Sequence, residues 1–304
     1  MSSLHVPVML NEVLEALQPR SGGRYVDGTV GGGGHAAALL EASAPDGSVL
    51  GLDADAAAIA RAGERLAPFG ARVTLVHSSY RAIESVATAH GFRPCDGVLL
   101  DLGLSSDQLA AAERGFSFRE EGPLDMRFDR SAGPTAADLL NGRTEQELAD
   151  IFYRYGEERR SRRLARVVRE RRRTRPFARI GDLVAAVEAA LGPRHGRLHP
   201  ATRIFQALRI AVNDELEALK VGLAGAVEIL AEGGRLAVIS FHSLEDRIVK
   251  RFILDRSACA AHPPLRPLTR KPLVARPAER AANPRSRGAK LRVAERVPAA
   301  ADSG

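Results

Sequence analysis

Three aspartates each close a short apolar run. Asp27 ends Arg24-Tyr-Val-Asp27, Asp53 ends Ser48-Val-Leu-Gly-Leu-Asp53, and Asp101 ends Cys95-Asp-Gly-Val-Leu-Leu-Asp101. Directly after the first comes Gly28-Thr-Val-Gly-Gly-Gly-Gly34-His35. Glycines of this kind let a backbone pass close beneath a ligand while the amides of a following helix face it. The segment Gly31-x-Gly33-x-x-Ala36 satisfies a dinucleotide fingerprint, a pattern of low specificity by itself. A Walker-type phosphate loop is excluded, because no Gly-Lys-Ser/Thr follows. Asp53 lies 20 residues beyond Gly33, the spacing at which a carboxylate reaches a ribose diol.

Such carboxylates need elements to aim them, and the first hundred residues supply a regular alternation. Apolar periodicity predicts helices at 8–17, 35–42, 55–66 and 80–90, and strands at 24–28, 48–53, 72–77 and 95–101. Strands that are continuous β-branched and leucine runs, joined by helical crossovers, describe a parallel, doubly wound α/β sheet covered on both faces. Ligands of such sheets bind outside the carboxyl ends of the strands, so Asp27, Asp53 and Asp101 are expected to line one crevice. A charge on Asp27 beside the glycine loop would repel a pyrophosphate and welcome a sulfonium or ammonium, which favours S-adenosylmethionine over NAD. Asp27 as a turn-capping residue before Gly28 is the alternative. Tyr80 suits an adenine ring or a core position equally. Gln108, seven residues beyond Asp101, sits in a polar loop above the crevice and taken alone is an ordinary glutamine.

After Asp101 the pattern changes. No strand is convincing from 102 to 144, and helices are expected at 145–155, 157–173, 180–191 and through 201–230. Strand logic returns at 234–241, followed by a helix at 244–254, a basic Pro-rich stretch and a last strand at 289–294. The simplest account is one α/β domain interrupted by a helical insertion, with boundaries at 1–105, 106–204 and 205–304.

The 304 residues are 45% hydrophobic and 27% charged, which excludes disorder or coiled coil as a global description. No apolar run is long enough to cross a membrane, the start lacks a signal-peptide plan, and Cys95 and Cys259 fit neither a disulfide framework nor a metal cluster. A cytoplasmic protein is expected. Net charge is +7, and its distribution says more than its size. Residues 154–179 hold 12 arginines against three glutamates, and residues 266–296 hold ten basic residues against two. Two basic segments on an otherwise acidic body suggest a polyanion such as nucleic acid. A solvated helix face and a disordered tail are the plainer readings.

Several motifs then fall in one order. They are His5-Val-Pro-Val-Met9, Asp27-Gly-Thr-x-Gly-x-Gly-Gly-His35, Asp101-Leu-Gly-Leu-Ser-Ser106, Glu113-Arg-Gly-Phe-Ser-Phe118 and Gly122-Pro-Leu-Asp-Met-Arg127. Tyr155-Gly-Glu-Glu158, His199-Pro-Ala-Thr-Arg203, Ile239-Ser-Phe-His-Ser-Leu-Glu-Asp-Arg247 and Asn283-Pro-Arg-Ser-Arg287 complete the series. In this order the chain resembles the MraW/RsmH family of bacterial 16S ribosomal RNA cytosine-N4 methyltransferases, from about His5 to Arg296.

The resemblance implies a Rossmann-like S-adenosylmethionine-dependent methyltransferase sheet with an inserted all-helical domain for RNA recognition. It implies 16S rRNA of the small ribosomal subunit as partner, with a cytidine in the P-site region of the decoding centre as acceptor. Its cofactor positions carry over to Gly33, Gly34, His35, Asp53, Tyr80, Asp101 and Gln108, to which the charge argument adds Asp27. Ala36 departs from a serine frequent in the family and removes at most a capping hydroxyl.

For catalysis, a hydrogen-bond acceptor near the cytosine amine would localise its lone pair. Asp101 is the first candidate for that role, or for holding the sulfonium end of the cofactor. His242 is the second, with a structural hydrogen bond as its alternative. His35 is expected to order the glycine loop. Arg159, Arg163 and Arg166 are expected to meet RNA, and Phe116, Phe118 and Phe128 either stack on bases or pack between domains. A different methyl acceptor, a non-catalytic assembly factor and a dehydrogenase are the competing functions. The oligomeric state, a homodimer included, is not legible, and no ligand cluster asks for a metal.

Overall fold

In a computed structural model, residues 7–192, 199–258 and 265–298 are described; His5 and Cys259 lie outside them. From the amino end run α1 (Leu10–Leu17), β1 (Arg24–Asp27), α2 (Gly34–Ala42), β2 (Ser48–Asp53), α3 (Ala56–Leu66), β3 (Val73–His77), α4 (Ile83–Ala89) and β4 (Cys95–Asp101). A helical stretch follows with α5 (Ser106–Ala110), α6 (Ala136–Gly142), α7 (Glu145–Arg154), α8 (Ser161–Arg172), α9 (Ile180–Leu191) and α10 (Pro200–Asn213). Then come α11 (Glu215–Ile229), β5 (Leu230–Ser240), α12 (Ser243–Ser257), β6 (Leu265–Pro267), α13 (Pro277–Ala282) and β7 (Lys290–Arg296).

The chain divides into two units, one of residues 1–103 and 216–304, the other of residues 104–215. The helical unit thus ends about one helix later than the 204/205 boundary expected from sequence. The reason is α10: Ile204, Phe205 and Leu208 are buried in the same apolar cluster as Leu148 and Phe152 of α7, Leu164 and Val168 of α8, and Leu183 and Val187 of α9. The helical run predicted through 201–230 breaks at Asp214, whose backbone takes a left-handed conformation (φ 48°) and donates its N–H to Ile210 O. Helix α8 starts at Ser161 rather than 157, because Glu157 has φ 50° and the turn closes by Glu158 N donating to Phe152 O.

In the first unit the strands form a single sheet in the order β3-β2-β1-β4-β5-β7-β6. Strands β1 to β5 pair in parallel, while β7 runs antiparallel to both β5 and β6. One apolar cluster centres on Val26, Leu50, Val98 and Val238, and another on Tyr25, Val49, Leu99 and Ile239. The strands are therefore buried on both faces, as their unbroken apolar runs require.

The carboxyl-terminal basic segment is folded rather than a disordered tail, with Arg270, Lys271, Arg280 and Arg287 exposed on it. Residues 290–296 are the strand β7 that sequence anticipates, while β6 was not legible. Of its ten cations, Arg266, Arg276, Lys290 and Arg292 form ion pairs within the unit. Buried Arg292 donates from Nε to Asp246 Oδ1 at 2.7 Å, and Lys290 Nζ lies 3.2 Å from Asp246 Oδ2. Arg266 pairs with Glu295, Arg276 with Glu12 and Glu15, and Arg296 donates to the carbonyl of Leu230. Removing one partner of a buried pair strands the other charge. Asp246→Ala is expected to lower unfolding free energy by about 3 kcal/mol, measured by guanidinium unfolding against the wild type; a loss within error would mean that β7 is held by its ladder alone.

Candidate functional site

Strand register sets the geometry. Asp27, the last residue of β1, stands opposite Gly51 of β2 on one side and Leu99 of β4 on the other. Asp53 and Asp101 each follow those partners by two residues, so both project just beyond the end of the central strand, on either side of it. Here the order of strands reverses, since β2 and β3 lie to one side of β1 and β4 and β5 to the other. This is the switch point at which open α/β sheets bind ligands.

The glycine loop is laid across that point by its own backbone. Val30 N donates to Leu52 O at 2.8 Å and Gly31 N to Asp53 Oδ2 at 2.9 Å. Gly33 precedes α2 with φ 78°, a left-handed conformation that side chains resist, and an added Cβ would stand 3.2 Å from Leu66 Cγ. Gly34 opens α2 against Pro7, where a Cβ would collide with the proline ring. Around Gly32 a Cβ would meet nothing within 4 Å. The loop is thus tight where it meets protein and open at its crest.

The carboxylates differ in their surroundings. Asp53 is half-buried and receives Asp55 N on Oδ1 at 2.8 Å besides Gly31 N on Oδ2. Burial pushes its ionisation upward and these backbone amides oppose the push. Asp27 is fully buried, with Oδ1 3.1 Å from Thr29 N and 3.5 Å from Thr29 Oγ1. The Thr29 hydroxyl in turn accepts the Asp101 N–H at 2.7 Å, tying the ends of β1 and β4 together. Burial raises Asp27 to about 7. Asp101 is raised to about 8, first by burial and then by the neighbouring Asp27, with Arg285 opposing. Oδ1 of Asp101 is buried with no hydrogen-bond partner. The charge that sequence reasoning assigns to Asp27 is therefore held back by the site's own dryness, and an arriving cation would release it.

His35, the second residue of α2, has Nε2 3.0 Å from Val8 O and Nδ1 3.7 Å from Asp101 Oδ2. It sits at the crevice as well as in the loop. Tyr80 begins a short turn after β3 and rests on α11, where a Cβ on Gly222 would stand 2.6 Å from Tyr80 Cδ2. Its ring edges the core, and its Cβ lies beside Gly28, so both of its expected roles survive.

Other expected residues take structural work. His242 caps α12: Nδ1 receives Glu245 N at 3.4 Å, and Nε2 lies 3.1 Å from Glu245 Oε1. Nδ1 thus caps the helix, while Nε2 is buried without a hydrogen-bond partner, so both of its expected roles survive. Gln108 belongs to the helical unit and completes a capping box with Ser105 at the start of α5. In the same unit Phe116 packs on Phe128 at 5.7 Å, and Phe118 stacks on His199 at 5.1 Å and meets Phe205 at 5.7 Å. These phenylalanines join the helical core rather than presenting a base-stacking surface. Arg159, Arg163 and Arg166 are all exposed, and only a long 3.9 Å contact links Arg166 to Glu145. Thr29 and Arg285 are site residues that sequence reasoning missed. Thr29 was visible only as a loop member, and Arg285 lies far along the chain in the Asn283-Pro-Arg motif. Among the described residues no group of side chains is arranged to hold a metal ion, and no helix is long and apolar enough to cross a membrane.

A doubly wound sheet with acids at its switch point, where a phosphate binder would carry amides and cations, fits an enzyme that uses a cationic nucleoside cofactor. The MraW methylase family matches residues 2–297, and the chain belongs to that family. It is 50% identical to "Ribosomal RNA small subunit methyltransferase H" of Thermomicrobium roseum, over 98% of this chain and 95% of the relative. The proteins of the same name from Heliobacterium modesticaldum and Syntrophobacter fumaroxidans are each 51% identical, over 96% and 97% of this chain respectively and 98% of either relative.

The chain is a methyltransferase, and its methyl donor is S-adenosylmethionine. The residues present fit that group. The crest at Gly32 leaves room above the loop, Asp53 can accept ribose hydroxyls, and the unpartnered Asp101 Oδ1 and the buried Asp27 offer negative charge to a cation.

The two raised carboxyls leave a signature in the ligand-free protein. Unfolded, each releases its proton near the ordinary 3.8; folded, Asp27 keeps it to about 7 and Asp101 to about 8. Between those values the unfolded chain binds fewer protons, so stability falls as pH rises through the window. Unfolding midpoints taken at about pH 6 and about pH 8 are expected to show a smaller loss in Asp27→Asn than in the wild type. Equal losses would mean that Asp27 is ionised throughout.

Proposed function

We propose that this protein transfers a methyl group to the exocyclic N4 of a cytidine in the P-site region of the decoding centre, on 16S rRNA of the small ribosomal subunit in the cytoplasm. The names borne by its relatives support the small-subunit RNA as partner. The observation that carries the chemistry is Asp101 Oδ1, a buried carboxyl oxygen without a partner at the ligand-binding switch point. Bound S-adenosylmethionine supplies an electrophilic methyl on a sulfonium.

The protein's part is alignment and charge. The cytosine amine is a poor nucleophile because its lone pair is delocalised into the ring. A carboxylate accepting its N–H localises that pair and stabilises the developing positive charge. Asp27 and Glu245 face Asp101 with negative potential and Arg285 with positive, so Asp101 is balanced between protonated and ionised near neutral pH. A buried acceptor that is easily switched suits a group that must take a proton. Asp101→Asn is expected to lose turnover at saturating donor by about 100-fold or more, beyond any weakening of donor binding. The readout is N4-methylcytidine by nucleoside mass spectrometry, on small subunits lacking the modification and on deproteinised rRNA alongside. Undiminished turnover with normal donor binding would overturn the assignment of Asp101, and label on another nucleoside would overturn the acceptor.

The exposed arginines of α8 and its preceding turn account for the RNA. Five phosphate contacts would give a log–log salt slope of about −3.5 to −4.5, and replacing Arg159, Arg163 and Arg166 by alanine should reduce its magnitude by about 2 to 3. A slope unaffected by the triple replacement would move the RNA surface elsewhere.

A further inference from the structure

Resting on the proposed transfer to a nucleotide of RNA, we infer that Arg287, with Arg280 beside it, holds the phosphates of the RNA backbone next to the acceptor nucleotide, at the rim of the crevice. Strand pairing places the two residues. Lys290, the first residue of β7, stands opposite Ser240 at the carboxyl end of β5, and Ile239 of β5 stands opposite Asp101 of β4. The turn at 284–288, directly before β7, therefore lies beyond the strand ends that bear the acids. Phe241 spans the interval. A Cβ added to Gly288 would stand 3.4 Å from its carbonyl oxygen, and one added to Gly103 would stand 3.4 Å from its ring Cδ2. Arg285 of the same turn acts on Asp101 as a neighbouring cation.

The turn is held by its own bonds. Asn283 Oδ1 accepts Arg285 N at 3.2 Å, buried Ser286 donates from Oγ to Asn283 O at 2.8 Å, and Ala289 N donates to Ser286 O at 3.2 Å. From this frame Arg287 reaches solvent, with Nε donating to Arg280 O at 3.1 Å. Arg280 is exposed as well, and among the described residues neither arginine pairs with a carboxylate. Cations are needed here. A crevice lined by Asp27, Asp53 and Asp101 welcomes a sulfonium but offers nothing to a phosphate. The acceptor base enters uncharged, yet its nucleotide carries a phosphate on either side, and extrusion brings that backbone to the mouth of the pocket. A solvated guanidinium there binds phosphate through parallel hydrogen bonds and releases counterions. The neutral base passes inward while the charged backbone stays at the rim.

The test compares Arg287→Ala, Arg287→Lys and Arg280→Ala; the last removes a cation but keeps the carbonyl to which Arg287 donates. Retention of deproteinised 16S rRNA on filters across a salt series reads binding without any methyl product. Arg287→Ala and Arg280→Ala are each expected to reduce the magnitude of the log–log slope by about 0.7 to 0.9. Arg287→Lys should keep the slope, since a point charge still meets phosphate. On small subunits lacking the modification, Arg287→Ala should raise KM for the subunit about tenfold and leave kcat within about twofold. Calorimetric affinity for S-adenosylmethionine should stay that of the wild type. A slope and KM unchanged in both alanine variants overturn the contact, and if N4-methylcytidine is still formed the proposed function stands. A fall in kcat at unchanged KM also overturns it, as does weakened donor binding, because Arg287 would then act inside the crevice. If slope and KM move as expected while label appears on another nucleoside, the contact is supported and the cytidine reading is overturned.

Discussion

Asp27, buried, and Asp101, half-buried, set two acids at the ends of adjacent strands, with the Thr29 hydroxyl accepting the Asp101 N–H. In a dry crevice two like charges so placed cannot both ionise cheaply, and the acids answer by keeping their protons to near neutrality. An enzyme that handled phosphates would gain nothing from such an arrangement. One that receives a cation does: the incoming charge lets a carboxyl ionise, and the ionised carboxyl in turn holds the cation. Binding and ionisation are then a single coupled event. In the proposed reading, the acids that cost stability in the ligand-free fold are the groups offered to the donor's positive charge.

That arrangement depends on the sheet more than on the loops. Because β1 is central and shorter than its neighbours, the two strands beside it overshoot by two residues and carry Asp53 and Asp101 past Asp27. Thr29 then fixes the distance across the gap through its bond to Asp101 N. The glycine loop takes its direction from Leu52 and Asp53, so the carboxylate proposed for the ribose also positions the loop. A one-residue slip in either parallel pairing would turn an acid to the other face of the sheet and dismantle the site.

How much of this was legible in the sequence can be judged from particular residues. The apolar runs ending in aspartate were visible because a doubly covered strand must be continuously apolar and its ligand-facing end cannot be. The sheet of β1 to β5, the crevice and three of its acids followed from that contrast. The protonation of Asp27 did not, because it depends on burial, which no spacing reveals. Arg285 was hidden by distance along the chain and Thr29 by its ordinary type. His242 and Gln108 looked chemical because each stands in a motif, yet both sit at helix starts. There a histidine or glutamine earns its place by satisfying backbone amides that the helix leaves unpaired. Motif membership does not separate these two uses, and a capping bond does not exclude the other.

The same distinction resolves the charge. By sequence the segments at 154–179 and 266–296 are nearly equal concentrations of positive charge, and either would serve a polyanion. In the fold they part company. In the second, Arg292 and Lys290 on Asp246 and Arg266 on Glu295 brace the antiparallel pair that closes the sheet, and Arg276 pairs with Glu12 and Glu15, while Arg270, Lys271, Arg280 and Arg287 stay exposed. In the first, Leu164, Ala165 and Val168 face the helical core and leave Arg159, Arg162, Arg163 and Arg166 in solvent. A cation already satisfied by a buried carboxylate gains little from a phosphate, whereas a solvated one exchanges water and counterions for it. The exposed arginines of α8 and its preceding turn are therefore proposed to meet RNA, while Arg292 and Lys290 on Asp246 hold β7 in the sheet.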